Sequence, residues 1–193
     1  MKTMMQIIVA VLALTVFTLG HATTVNSKEL NCLAKNIYYE AGNESLEGKV
    51  AVGVVTLNRV ADGRFSNSVC GVVHQRTVFK HERKTTVTHE VHTKKYFILD
   101  RVDHVTEVQT KVYSTAVCQF SWSCGTVANP KINDRRWEES LSVATQLLDG
   151  GFDELKEKYN EALYFHAVAF RPAWVSLKQK IARIGGHIFY AEK

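Results

Sequence analysis

Glu40 is the residue in this sequence best suited to moving a proton. It follows Ile37-Tyr38-Tyr39 and precedes Ala41-Gly42, at the end of a stretch with helical periodicity. Aromatic and apolar neighbours strip water from a carboxylate, favour its neutral form and raise its pKa. A carboxylic acid that keeps its proton near neutral pH can protonate a leaving oxygen as a general acid. A glutamate at a helix end is more often a solvated surface group, so local pattern alone does not decide for Glu40. Glu44 and Glu47 follow closely, but the Gly42-Asn43 turn leaves their direction open. Glu44 is expected to support the fold or the hydrogen bonding of a site.

Two other arrangements could carry chemistry. Cys32, inside a helical stretch, and His187, in a late strand, could form a thiolate–imidazole pair of the cysteine peptidase or amidase kind. Metal binding is less well supported. His81-Glu82 lacks the second histidine of the zinc-protease helix motif, and His89 and His92 have ligand spacing without a third partner. No metal and no cofactor are expected.

The elements that would position these groups read as a mainly helical α+β domain. Leu30, Leu33, Ala34, Ile37 and Ala41 recur at helical spacing from Ser27, which could cap the start. A second helix is predicted over about 45–61, with Val50, Val54, Leu57 and Ala61 buried and Gly63 near its end. Ser68 could cap a short third helix through His74. Another helix is predicted over about 134–148, presenting Trp137, Leu141, Ala144 and Leu148 and stopping at Gly150-Gly151. Leu163 to Ala167 and His187 to Tyr190 are aromatic runs typical of strands, in a small antiparallel sheet. Trp174 to Ile184, between them, is predicted helical. The basic stretch at about 79–117 is an elaboration on this core, either a hairpin or an exposed lobe.

The chain has 193 residues, 46% of them hydrophobic, with two prolines, which suits one domain with a buried core. Met1-Lys2, the apolar run Met4 to Leu19 and the small residues of Gly20-His21-Ala22 form a secretory signal, residues 1–22, with cleavage expected after Ala22. The alternative is a retained membrane anchor; a cleaved signal leaves no lasting membrane association. Either outcome takes residues 23–193 out of the cytoplasm, to the periplasm, cell wall or medium. Cys32, Cys70, Cys118 and Cys124 all follow the signal, an even number suited to an oxidising compartment. Three pairings are possible; the short spacing suggests Cys118 with Cys124, leaving Cys32 with Cys70. The formal charge of +5 would suit nucleic acid, but export argues against that partner and fits polyanionic wall polymers equally well. A monomer is expected.

The order of several blocks resembles the cell wall hydrolase family of spore-cortex-lytic enzymes. The blocks are Cys32 to Ala41, Glu44 to Val52, Leu57 to Val60, Arg64-Phe65, Cys70 to Val73, Gln119 to Trp122, Tyr164 to Ala167, Pro172 to Trp174 and Ile184 to Tyr190. The resemblance implies a lysozyme-like or lytic-transglycosylase-like domain that cuts peptidoglycan glycan strands between N-acetylmuramic acid and N-acetylglucosamine. It places the catalytic acid at Glu40. For such a substrate Gln119-Phe120-Ser121-Trp122 is the best sugar-contacting block by its side chains, since ring faces stack on pyranoses while amide and hydroxyl groups bond their substituents. Tyr39, His166 and Trp174 are further contact candidates; Phe120 suits the core better, and a lone histidine such as His166 is more often structural. Two departures stand out. Gly42-Asn43 replaces the family's usual arginine-glycine after Glu-Ala, and the segment before Gln119 is longer than usual. The first of these leaves open a wall-binding module without catalysis.

Overall fold

A computed structural model describes residues 26–94 and 100–193; the signal expected at residues 1–22 lies outside them. The core is helical. Helix α1, Ser27–Ala41, buries Leu33, Ala34, Asn36, Ile37 and Ala41. Its cap is Asn26 rather than Ser27: Asn26 holds the extended backbone, and its side chain accepts from the Lys28 N–H at 3.0 Å.

Helix α2, Leu46–Ala61, is capped by Ser45, whose hydroxyl accepts from the Gly48 N–H at 3.3 Å. It is not the one-faced helix that the spacing predicts. Every residue from Gly48 to Thr56 is buried, Leu57 is half-buried and Ala61 is exposed. The reason is its central position, since a helix covered on all sides has no polar face to preserve. Gly53 permits this packing, because a Cβ there would overlap the Leu147 side chain and press on Ile37.

Helix α3, Val69–Val73, starts at the Ser68 cap and is tied to α1 by the Cys32–Cys70 disulfide. Helix α4, Arg135–Leu148, lies across α1 and α2 and buries Ser140, Val143, Ala144 and Leu147. Trp137, Leu141 and Leu148, expected on its inner face, pack at the margin of that core. Gly150, at φ 92°, ends this region before the short helix α5, Asp153–Lys158.

Two antiparallel sheets complete the fold. Strands β1, Arg76–Lys94, and β2, Asp100–Cys118, pair from Arg76↔Cys118 to Lys94↔Asp100. They form a hairpin roughly 60 Å long at the rise of an extended strand. The second sheet has the order β3-β5-β4, with β3 Tyr164–Ala167, β4 Gln179–Ile184 and β5 His187–Ala191. The helix predicted over Trp174 to Ile184 is absent: Ala173–Leu177 is a 3-10 turn, and the rest is β4. Ile184 pairs with His187 across Gly185-Gly186, a two-residue glycine turn that closes a tight hairpin and satisfies β4 against β5.

Candidate active site

Glu40 stands one residue before the end of α1 and enters a cleft of about 460 Å³. Arg59, near the end of α2, shares the lining with it. One wall is Gln119, Phe120 and Ser121, directly after β2; the other is Tyr164 to Ala167 on β3 with Trp174 and His187. Segments distant in sequence therefore meet around one carboxyl group. Among the described residues on this lining, Glu40 is the sole carboxylate.

Burial dominates the electrostatics of Glu40. Loss of water raises its pKa from 4.5 to about 7, against the opposing pull of the Arg59 cation. Glu40 is therefore still partly protonated near pH 7, where an ordinary carboxyl group is fully ionised. Arg59 is itself buried, which pushes it down to about 10, still charged at neutral pH. Its Nε donates to the Leu163 carbonyl at 2.8 Å. The guanidinium lies 5.4 Å from the Phe65 ring centre and 5.2 Å from that of Phe120. Phe120 is thus a core residue that also supports the floor of the cleft.

The aromatic wall is fixed by its own contacts. His166 Nε2 lies 3.0 Å from the Tyr190 hydroxyl, and Nδ1 lies 2.8 Å from the Ala167 carbonyl. A neutral ring satisfies both when Nδ1 donates to the carbonyl and Nε2 accepts from the hydroxyl. Trp174 packs edge-on against His166 and Tyr190 and is tilted 5.8 Å from Tyr164. The Tyr164 hydroxyl bonds Glu192, and Lys178 Nζ lies 4.2 Å over the Tyr164 ring.

Glu44 sits behind the wall. Its carboxylate accepts from the Gly186 N–H at 3.2 and 3.3 Å and approaches His187 Nδ1 at 3.7 Å. Burial lowers the His187 pKa while Glu44 pulls it upward. Glu47 points elsewhere, accepting from the Tyr159 hydroxyl at 2.6 Å and pairing with Lys158 at 2.8 Å.

Of the residues singled out in the sequence, Glu40, Gln119, Ser121, His166 and Trp174 line the cleft together. Tyr39 and Trp122 do not. They stack on each other with ring centres 4.6 Å apart; Tyr39 donates to the Ala128 carbonyl, and Trp122 Nε1 donates to buried Asn36 at 3.0 Å. Successive helix positions diverge by about 100°, and here Tyr39 turns to the Ala128 carbonyl while Glu40 enters the cleft. The cysteine peptidase arrangement is also excluded: Cys32 is bonded to Cys70, Cys118 to Cys124, and no free cysteine occurs among the described residues. Arg59 and Tyr164 were not singled out as site residues. For Arg59 the signal was available, since it follows Val52 and Val55 at helical spacing, a charge in phase with an apolar face.

Residues 43–190 match the family described as Cell Wall Hydrolase. The chain belongs to this family. The family match begins just after Glu40 and takes in the rest of the cleft lining. Another relative, the spore cortex-lytic enzyme of Bacillus subtilis (strain 168), is 39% identical over 54 residues, 28% of this chain. That alignment spans only 18% of the relative's length. The catalytic domain of the germination-specific lytic transglycosylase SleB from Bacillus anthracis superposes with a TM-score of 0.50 at 18% identity. It covers 87% of this chain and 98% of that domain, and so shares the fold. The catalytic domain of the Bacillus cereus SleB protein gives a TM-score of 0.49 at 19% identity, over 86% of this chain and 91% of that one.

Proposed function

We propose that this member of the Cell Wall Hydrolase family is an exported enzyme that cuts peptidoglycan glycan strands between N-acetylmuramic acid and N-acetylglucosamine. The observation that carries this reading is Glu40, a carboxyl group at the cleft floor whose pKa is raised to about 7 by burial. The family description and that of the Bacillus subtilis relative agree with it. Export is supported by the apolar N-terminal run and by two disulfides of the kind that persist in oxidising compartments.

In this reading Glu40 gives its proton to the glycosidic oxygen as the bond from that oxygen to the muramyl anomeric carbon breaks. The sugar cation left behind is closed by its own 6-hydroxyl, whose proton returns to the Glu40 carboxylate. The product is an anhydro sugar, and no water is consumed. Direct hydrolysis ordinarily uses a second carboxylate as nucleophile or to activate water. The single carboxylate on the described lining therefore favours the anhydro-forming route. Gln119 and Ser121 supply hydrogen-bonding groups along the cleft, and Trp174 supplies a ring face.

The test is digestion of purified sacculi by wild type and Glu40→Gln, with mass spectrometry of the released material. Wild type is expected to release muropeptides lighter by one water than the reducing-end products, and the variant none. Absence of release by wild type removes the catalytic reading; reducing-end products alone replace the anhydro route by hydrolysis.

A further inference from the structure

The β1–β2 hairpin is the part of the molecule that the cleft chemistry does not use. A two-stranded ribbon has little core of its own, and most of its described side chains are exposed. It leaves the body at the cleft, where Cys118 and Gln119 belong to the lining and the Gln119 N–H donates to the Gln75 carbonyl at 2.9 Å. The Cys118–Cys124 disulfide fixes the same root.

Residues directly opposed in an antiparallel pair share a face. One face therefore carries Phe79 opposite Thr115, His81 opposite Tyr113, and Arg83 opposite Lys111. The His81 and Tyr113 rings stack with centres 5.2 Å apart, and Arg83 lies 5.8 Å from the Tyr113 centre. Phe79 and Tyr113 remain 49% and 42% exposed, so their ring faces are open to a ligand. Arg83 and Lys111 are like charges placed directly across from each other, which destabilises a strand pair unless an anion lies between them. Glu107, an acid on this face, lies against His89 at 3.4 Å instead. On the opposite face Glu82 falls between Lys80 and Lys84, so the charges there alternate in sign.

We propose that the face bearing Phe79, Tyr113, Arg83 and Lys111, on the hairpin rooted at the cleft, is a second binding surface for peptidoglycan. Pyranose rings lie against Phe79 and Tyr113, and a stem-peptide carboxylate bridges Arg83 and Lys111. The match is one of chemistry: exposed rings suit sugar faces, and a paired cationic rung suits a carboxylate. The surface holds the polymer on the hairpin whose root borders the cleft, and it rests on the reading of the cleft given above.

The test uses the mature protein carrying Glu40→Gln, so that the polymer stays whole, and measures co-sedimentation with purified sacculi. Against that parent stand a variant with Phe79→Ser, Arg83→Ala, Lys111→Ala and Tyr113→Ser, and a control with Lys80→Ala and Lys84→Ala. Both variants remove two positive charges from exposed positions. The first is expected to weaken binding about tenfold or more, the control by less than about twofold. Equal binding by the first variant and its parent overturns the proposal, as does an equal loss in the control. A parent that sediments as a dimer, with the first variant monomeric, also overturns it and assigns the face to a second copy of the chain. This outcome is independent of catalysis: a binding difference with no muropeptide release by wild type removes the cleft reading and leaves the surface standing.

Discussion

The Gln119 side-chain oxygen lies 3.1 and 3.2 Å from the two terminal nitrogens of Arg59, in the amide orientation that hydrogen bonding selects. That contact joins the floor of the cleft to its wall. The same guanidinium attracts the Glu40 carboxylate, so one buried cation orients a binding amide and tunes the acid. The Gln119 amide nitrogen is the end not engaged by Arg59, a donor suited to an acetamido carbonyl.

The titration of Glu40 makes the first prediction. Cleavage needs the protonated acid, so activity is expected to fall as pH rises through about 7. Stability follows the same group. The folded state holds this proton more tightly than the unfolded chain, so ionisation costs stability above about 7, and the cost vanishes below 4.5. At 1.36 kcal/mol per unit the shift amounts to about 3 kcal/mol. Urea unfolding of Glu40→Gln should therefore show a gain of up to about that size at pH 9 and little change at pH 4. A variant no more stable than wild type at pH 9 would contradict the buried position of this carboxyl.

Arg59 sets where that titration falls. Removing its charge with Arg59→Met takes away the cause that lowers the Glu40 pKa, so the alkaline limb of the activity profile should move to higher pH. Arg59→Lys keeps a cation nearby and should hold the limb closer to that of wild type. Loss of the bond to the Leu163 carbonyl should also cost about 1–3 kcal/mol in Arg59→Met. A purely structural arginine would lower activity at every pH and leave the limb unmoved.

The Cys32–Cys70 disulfide closes a sequence separation of 38 residues between α1 and α3. Its removal by Cys32→Ser with Cys70→Ser is expected to cost up to about 4 kcal/mol on loop-closure grounds. Calorimetry measures the loss, and sacculus digestion well below the lowered midpoint should still release muropeptides. Activity abolished in a variant shown to be folded would return Cys32 to the chemistry.

Gly185 is bound by two constraints at once. Its φ is 51°, and a Cβ there would overlap the Glu44 carboxylate. Gly185→Ala is therefore expected to destabilise by about 1–3 kcal/mol and to disturb the Glu44–His187 contact. Gly63→Ala, where a Cβ meets nothing within 4 Å, should change stability by less than about 0.5 kcal/mol. Thermal unfolding of the pair tests the point, and equal midpoints would refute it.

Local order was legible in the chain. Ser45 and Ser68 mark helix starts, because a cap is a contact between near neighbours. The aromatic runs at 164–167 and 187–190 are strands, and the α+β class follows from them and the helical periods. Where tertiary contacts compete, the reading failed. Trp174 to Ile184 has spacing compatible with a helix, but pairing with β5 makes Gln179–Ile184 a strand, and that pairing is invisible locally. The buried run Gly48 to Thr56 looked one-sided until α1 and α4 covered the remaining faces.

By itself the sequence determined that Glu40 sits at a helix end among rings, and that Gln119, Ser121, His166 and Trp174 carry suitable groups. The tertiary structure alone decided that these residues line one cleft while Tyr39 and Trp122 stack on each other outside its lining. It also brought Arg59 beneath Glu40 and set Glu44 behind His187. The reason is physical: residue type and period are properties of a short segment, whereas burial and the field at a carboxyl group are created by segments far apart along the chain.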